Sequence, residues 1–380
     1  MPLFDQTQPL TPYNSVNAGV IPAEVFGIGI AFFANRTPLV SRLAKAPVGS
    51  LSFKITADDY RGTTTLGGGY TTTQTALTVA DSSLFMPGDV VEVDNEAFLV
   101  TAIASATSLT VTFAYGGTTN ANHSSGATVN LIGNSRNGAE VNQAGISRFP
   151  TTVEQYLQTF QHPYSVGGAL ASASNYALPP GMATPVDRDR MMAIQHCMDD
   201  MERSSYYGYG VQLAANTTKP AQKGLRSLIT SNKTLSPTNA SAYKPSDLMR
   251  DTLQPCYTAG GNPDVLLVST DFLTGLAIWG LSYQYMDPGE TTFGVKPQTI
   301  FAPFLGPVNV VPCPLLRSGT AICLTSGEAR LRVKRAMFDK PRGSRGDAIE
   351  GDIIAEAAVE LDNQQHHAWV SGITGFAKQS

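Results

Sequence analysis

The sequence predicts an α+β fold with a small all-β module set into it. Three observations carry this expectation: a run of short β-branched segments between residues 67 and 133, a long amphipathic helical pattern opening at Thr184, and alternating helix-like and strand-like segments from Ser246 onward. A chain of 380 residues can bury one large core or two to three ordinary ones, and its hydrophobic share of 42% is typical of globular proteins. Charged residues make up only 15%, alongside 35 Gly and 24 Pro. That balance favours strands, loops and large surfaces that end up against other protein.

The opening stretch MPLFDQTQPLTPYNSVNAGVIPAEV is polar and punctuated by proline, and cannot form a core of its own. An apolar run, Phe26 to Ala34, follows it. A secretory signal would need a basic region at the extreme N-terminus, whereas residues 1–25 hold no Lys or Arg and carry Asp5 and Glu24. A membrane span takes ~20 consecutive apolar residues, and this run is far shorter and broken by Gly27 and Gly29. A soluble chain with an adhesive arm is the reading that remains. Beyond it, SLSFKITADDY (Ser50 to Tyr60) alternates as a half-buried strand does.

Residues 67–133 differ in texture. Thr75–Val79, Asp89–Val93, Ala97–Ile103, Leu109–Phe113 and Ala127–Ile132 read as short strands, and Asp94-Asn95 stands where a hairpin turn is needed. The module holds Asp81, Asp89, Glu92, Asp94 and Glu96 but no Lys or Arg, so an acidic knob is expected. Gly- and Thr-rich flanks mark it as an insertion. Thr152–Phe160 and Tyr164–Ala171 then read as extended or mixed segments.

For the long helix, Thr184 is the expected N-cap, Pro185 the first helical residue and Asp187 the partner of a capping box. Ile194, Cys197, Met198, Met201 and Ser205 fall on one face, with Asp199, Asp200, Glu202 and Arg203 opposite, and Gly208 and Gly210 end the pattern. Ser246–Tyr257 reads as another helix. GGNPDVLLVS enters a buried strand, and TDFLTGLAIWG makes a helix with Phe272, Leu276 and Trp279 on one side. Val308–Val311, Ala321–Leu324 and Ala329–Val333 read as strands, and the segment from Gly351 closes the chain as a long hairpin.

Chemical motifs are absent. There is no nucleophile elbow, no HExxH and no P-loop, and Gly27-Ile28-Gly29 lacks the third glycine of a dinucleotide fingerprint. His366 and His367, placed on a strand, would point to opposite faces and could not share an ion; His196 and Cys197, adjacent on a helix, diverge by about 100°. The module carboxylates lack the D-x-D-x-D-G spacing of a calcium loop. No catalytic residue, metal or cofactor is expected. Cys197, Cys256, Cys313 and Cys323 form no CxxC pair and read as buried, reduced thiols. The net charge of -4 argues against a general nucleic-acid binder, though not against a local basic face.

One such face is RLRVKRAMFDKPRGSRGD. On a strand, Arg330, Arg332 and Lys334 share a side, with Arg335 beside them. Three readings stand: an exposed edge salt-bridged within the chain, a row that pairs with a neighbouring subunit, or a contact with enclosed nucleic acid. These are features for building rather than for turnover, and they suit a protein whose function lies in its interfaces.

Taken in order, the features resemble the major capsid proteins of tailed double-stranded DNA phages, the Hong Kong 97 fold, in a branch with a β insertion in the extended loop. The resemblance rests on Asn35-Arg36-Thr37-Pro38-Leu39 with Leu43, FMPGDVVEV and SLTVTFAYGGTTNANHSSGATV, Tyr156-Leu157-Gln158-Thr159-Phe160, and the helix ending Asp200-Met201-Glu202-Arg203. Lys223-Gly224-Leu225-Arg226, GGNPDVLLVS and Gly351-Asp352-Ile353-Ile354 complete it.

The resemblance implies an N-terminal arm over 1–49 and an extended loop over 50–165, carrying the all-β insertion domain at 67–133. It implies a peripheral domain over 166–214 and 346–380, with a spine helix at 187–213, and an axial domain over 215–345. Phe26, Ile28, Ile30, Phe32 and Phe33 would pack beneath a neighbouring subunit or the chain's own spine helix, with Arg36 anchoring the arm by charge and Pro38 stopping it. Implied partners are further copies in hexamers and pentamers, a portal protein, a separate scaffolding or cement protein, and enclosed double-stranded DNA bound without sequence specificity. The virion is the implied location, after synthesis and assembly in the host bacterial cytoplasm. The rival from a different class is an oligomeric surface protein recognising a glycan or receptor through the β module.

Overall fold

A computed structural model of the chain describes residues 36–57, 62–136, 150–172, 184–212, 219–279, 284–285, 298–342 and 346–377. Two compact units emerge, residues 58–151 and the remainder of the chain.

Two sheets of the larger unit, of four and seven strands, carry its core. In the four-stranded one, Ala44–Pro47, Ala329–Pro341, Ala348–Leu361 and Gln158–Gly167 lie side by side in that order. Ala348–Leu361 is buried along nearly its whole length rather than at alternate positions. It has a neighbour on each edge, and its small residues Ala355 and Ala357 share a core with Ala193, Cys197 and Met201 of the long helix. That continuous burial is what a strand covered on both faces requires.

The long helix is Pro185–Tyr207, capped as expected: the Thr184 hydroxyl accepts the Asp187 N–H at 3.1 Å while the Asp187 carboxylate accepts the Thr184 N–H at 3.1 Å. It stops six residues short of the expected Leu213, because Gly208 caps it and Tyr209–Val211 turns into a strand against Ala221–Lys223. At this crossing a Cβ on Gly208 would collide with the Gln222 carbonyl oxygen, and one on Gly224 would lie 2.7 Å from the Tyr206 backbone. Only residues without a side chain let these two backbones pass. Beside them the buried amides of Gln155 and Gln222 bind the backbone of Val359 and Lys223, tying the sheet to this corner.

The seven-stranded sheet runs Lys233–Thr234, Ala368–Val370, Ala321–Leu324, Val265–Val268, Gly306–Pro312, Gln298–Ala302, Gln284–Tyr285. One face, with Leu267, Val311, Ile322 and Trp369, joins the core of the long helix. The other packs on Phe272, Leu276 and Trp279 of the helix Thr270–Trp279 and on Leu248, Leu253 and Cys256. These last three belong to a helical run over 245–258 that widens to a π-turn at Met249–Leu253. Pro255 has no N–H to return to the preceding turn, and the widened turn sits directly before it.

Two expectations are corrected here. The segment from Gly351 does not close as a hairpin: Ala348–Leu361 stays in the four-stranded sheet, while Ala368–Val370 crosses to the seven-stranded one. The strand begun at Ala329 extends to Pro341, well beyond Val333.

The smaller unit is a six-stranded sheet, Thr64–Thr65, Thr128–Asn134, Asp89–Val93, Glu96–Ser105, Ser108–Thr112, Ala76–Thr78. Period-two alternation buries Val91, Val93, Phe98, Val100, Leu109 and Val111 in a core of its own with Phe85 and Tyr70. Asp94 and Asn95 take φ of 46° and 75°, the paired left-handed conformation of a type I′ hairpin turn. Among the described residues no helix is long and apolar enough to cross a membrane.

Candidate functional site

The predicted arm residues Phe26, Ile28, Ile30, Phe32 and Phe33 lie outside the described residues. The structure does place Arg36 and Pro38. Pro38 opens a five-residue helix, Pro38–Arg42, where its missing N–H costs nothing. Leu39, Val40 and Leu43 enter the core beside Ala193, Cys197 and Met201 of the long helix.

Thr37, at the N-cap of that short helix, makes no side-chain capping bond. The free amides are met from outside. Glu202 accepts the Leu39 N–H at 2.9 Å on one carboxylate oxygen and the Val40 N–H at 2.8 Å on the other, and the Tyr206 hydroxyl donates to it at 2.5 Å. Burial pushes the Glu202 carboxyl up, against the opposing pull of those three donors. Three residues earlier, Asp199 pairs with Arg36 at 3.2 Å. Asp199, Glu202 and Tyr206 thus form one stripe that receives the segment 36–43 by charge, by helix capping and by packing. Pairing of Ala44–Pro47 parallel to Arg330–Val333 completes the junction.

Helical periodicity predicts Asp199 and Glu202 on the face opposite Cys197 and Met201, yet both are buried. The missed signal is their spacing: positions 199, 202 and 206 recur at i, i+3 and i+7, a single face. A carboxylate on an inward stripe needs donors, and Arg36, Leu39 and Val40 supply them.

The basic row is paired within the chain. Arg332 grips Glu360 through two bonds of 2.7 and 2.8 Å, Arg330 reaches Asp362 at 3.3 Å, and Arg335 binds Glu356. The Arg335 hydrogen bond holds the Glu356 carboxyl below its usual range. Val333 stands opposite Ala357 and Arg335 opposite Glu356, so Lys334 is the extra residue of a bulge and the shared face expected for Arg330, Arg332 and Lys334 breaks there. Nor is Arg330–Val333 an edge, since Ala44–Pro47 pairs with it.

Two other clusters differ from expectation. In the module, Asp89 and Glu96 are buried, not displayed on an acidic knob. Glu96 accepts the amides of Ala114 and Ala121 and meets His123 at 3.0 Å, so its charge is used internally. His366 ends a single 3-10 turn rather than lying on a strand, and both it and His367 face Glu328. His196 is exposed and Cys197 buried, as helical geometry requires. All four cysteines are buried free thiols, and burial raises Cys197 to about 11 and Cys313 to about 12. Among the described residues no group of His, Cys, Asp and Glu could hold a metal ion.

The family model described as the SU10 major capsid protein matches residues 14–374. The chain belongs to that family. It is a major capsid protein, a structural component of a phage virion and not an enzyme, and proteins of this kind assemble into multimeric shells. A comparison with curated proteins gives no match.

Among solved structures, this capsid protein is similar to the SrpI encapsulin of Synechococcus elongatus PCC 7942, at 11% identity over 98% of this chain and 100% of that one, TM-score 0.48. It is similar to a chain from Mycobacterium phage Cain at 11% identity, covering 98% and 99%, TM-score 0.45. A further similarity is to a structure of the Phage G gp27 major capsid proteins and gp26 decoration proteins, at 8% identity over 87% and 88%, TM-score 0.44. The family match, not these distant similarities, makes the assignment. Membership and the observed α+β architecture agree with the Hong Kong 97-like class expected from the sequence.

Proposed function

We propose that this major capsid protein assembles as hexamers and pentamers into an icosahedral phage head that encloses double-stranded DNA. The observation that carries this reading is the capsid family match over residues 14–374. In this reading the arm preceding Arg36 packs against a neighbouring subunit through Phe26, Ile28, Ile30, Phe32 and Phe33. Arg36 and the helix at Pro38 fix its root on the long helix. Heterologous contacts of this kind close into rings and shells, and several interfaces of ~1,600 Å² per subunit hold what no single one could. Each of them stabilises by ~25 cal/mol per Å² of apolar surface before ordering costs.

Portal, scaffolding and cement proteins are the further partners proposed, with assembly in the host bacterial cytoplasm. The residues 67–133 form the insertion carried on the extended loop. The basic row Arg330, Arg332, Lys334 and Arg335 is proposed to act first as internal bracing, with the exposed Lys334 left to face a neighbour or the enclosed DNA. No observation favours the glycan- or receptor-binding alternative.

The test is electron microscopy of the purified full chain. Closed shells, capsomers or tubes are expected; uniformly dispersed single chains would overturn the reading.

A further inference from the structure

Two stretches of chain carry strands directly from one sheet of the larger unit to the other. Thr325–Glu328 leads from Ala321–Leu324 of the seven-stranded sheet to Ala329–Pro341 of the four-stranded one. Asp362–His367 leads back from Ala348–Leu361 to Ala368–Val370. The two crossings run side by side and are joined at one point. His366 Nδ1 lies 2.9 Å from both carboxylate oxygens of Glu328, and His367 Nε2 lies 3.6 Å from one of them.

The bonds around that point alternate between the crossings. The Thr325 N–H donates to His367 Nδ1 at 3.2 Å, the Thr325 hydroxyl to the His366 carbonyl at 3.3 Å, and the Asp362 N–H to the Glu328 carbonyl at 3.0 Å. Because His367 Nδ1 accepts, the ring proton sits on Nε2, which donates to the Asp362 carbonyl at 3.1 Å. Asp264, at the head of the strand Val265–Val268, holds Ser326 through its backbone N–H at 2.7 Å and through its hydroxyl. Gly261 lies so close to His366 that a Cβ there would stand 2.7 Å from the histidine Cβ, so the neighbouring helical run closes over the junction.

Burial would raise the Glu328 carboxyl, yet the neighbouring His367 ring and the hydrogen bond from His366 outweigh it and hold it at about 2. The carboxylate stays ionised across ordinary conditions and binds both crossings throughout. We propose that Glu328, with His366 and His367, forms a lock at the joint between the two sheets, fixing how one sheet is set against the other. The strand ladders do not cross this joint; the crossing 362–367 is also tied to Thr230, Ser231 and Asn232 through Gln364 and Gln365, and the Glu328 cluster is what ties it to the other crossing. The core resists separation but is non-directional; the bonds to Glu328 are directional and fix the angle.

The experiment is hydrogen exchange on the full-length chain, wild type against Glu328→Ala and Glu328→Gln. Loss of charge-assisted bonds predicts that Glu328→Ala speeds exchange in 325–328 and 362–367 together, by about tenfold or more. Glu328→Gln, which keeps one acceptor for His366, should fall between. The strand interiors Leu266–Val268 and Ile353–Val359 should keep their wild-type rates in both. A response confined to one crossing, no response, or an equal rise at every amide would overturn the lock. So would a Glu328→Gln chain that does not fold, because the residue would then support the whole unit and not the joint.

Discussion

Glu202 accepts the backbone N–H of Leu39 at 2.9 Å across 163 residues of sequence, and its second oxygen takes the N–H of Val40. A short helix with no capping side chain of its own is thereby finished by a carboxylate from another element. The segment 36–43 is built into the long helix rather than laid on it.

Replacing Glu202 with Ala strands two amide donors and the Tyr206 hydroxyl in a buried site. The expected loss is ~2–4 kcal/mol of stability, read as a lower denaturant midpoint of the unassembled chain. Glu202→Gln keeps one acceptor but turns an N–H toward the other amide, and should lie between wild type and Ala. Midpoints unchanged in both variants would remove Glu202 from this role.

Asp189 lies on the first part of the long helix, and burial raises its carboxyl to about 6 despite Arg188 at 3.3 Å. The folded chain then holds this proton more tightly than the unfolded chain, whose aspartate titrates near 3.8. Ionising it in the fold is costly, so its contribution to stability falls as pH rises from about 4 through 6 and is flat above. Asp189→Asn should stabilise at pH 7.5 by on the order of 2 kcal/mol and make little difference at pH 4. Urea unfolding at the two pH values checks this; an equal effect at both would contradict it.

The Arg332–Glu360 pair predicts where charge reversal acts. Glu360 is 4% exposed, so Arg332→Glu sets two carboxylates together in a buried site. A loss of ~3–5 kcal/mol is expected before any assembly takes place. Thermal melting of the unassembled chain measures it. A wild-type melting temperature combined with failed assembly would instead assign the row to contacts between copies.

Residues 62–136 should fold when expressed alone, since they carry a core of Phe85, Val91, Phe98, Leu109 and Val129 and satisfy Glu96 and His123 internally. A cooperative thermal transition with dispersed amide resonances is the expected result. A fragment without fixed tertiary structure would show that the unit depends on the rest of the chain.

Legibility in the sequence followed how local each cause was. The Thr184–Asp187 capping box, the Asp94-Asn95 turn and the module strands depend on neighbours a few residues away, and each could be read directly. The reach of the long helix could not, because Gly208 ends it through a backbone crossing with Gly224. The closing strands are hidden for a similar reason: Leu361 and Ala368 are close in sequence but belong to different sheets. Around Arg36 the sequence shows the cation but not the acids that meet it. Asp199 and Glu202 look like solvent-facing acids until the donors of residues 36–40 arrive from far along the chain.

Whether this chain works by assembling with its own copies is tested by sedimentation velocity over a concentration series of the full-length protein. A growing population of capsomers and shells sedimenting far ahead of the 40.3 kDa single chain is expected. A single boundary at the mass of one chain, unchanged at the highest concentration, would contradict it.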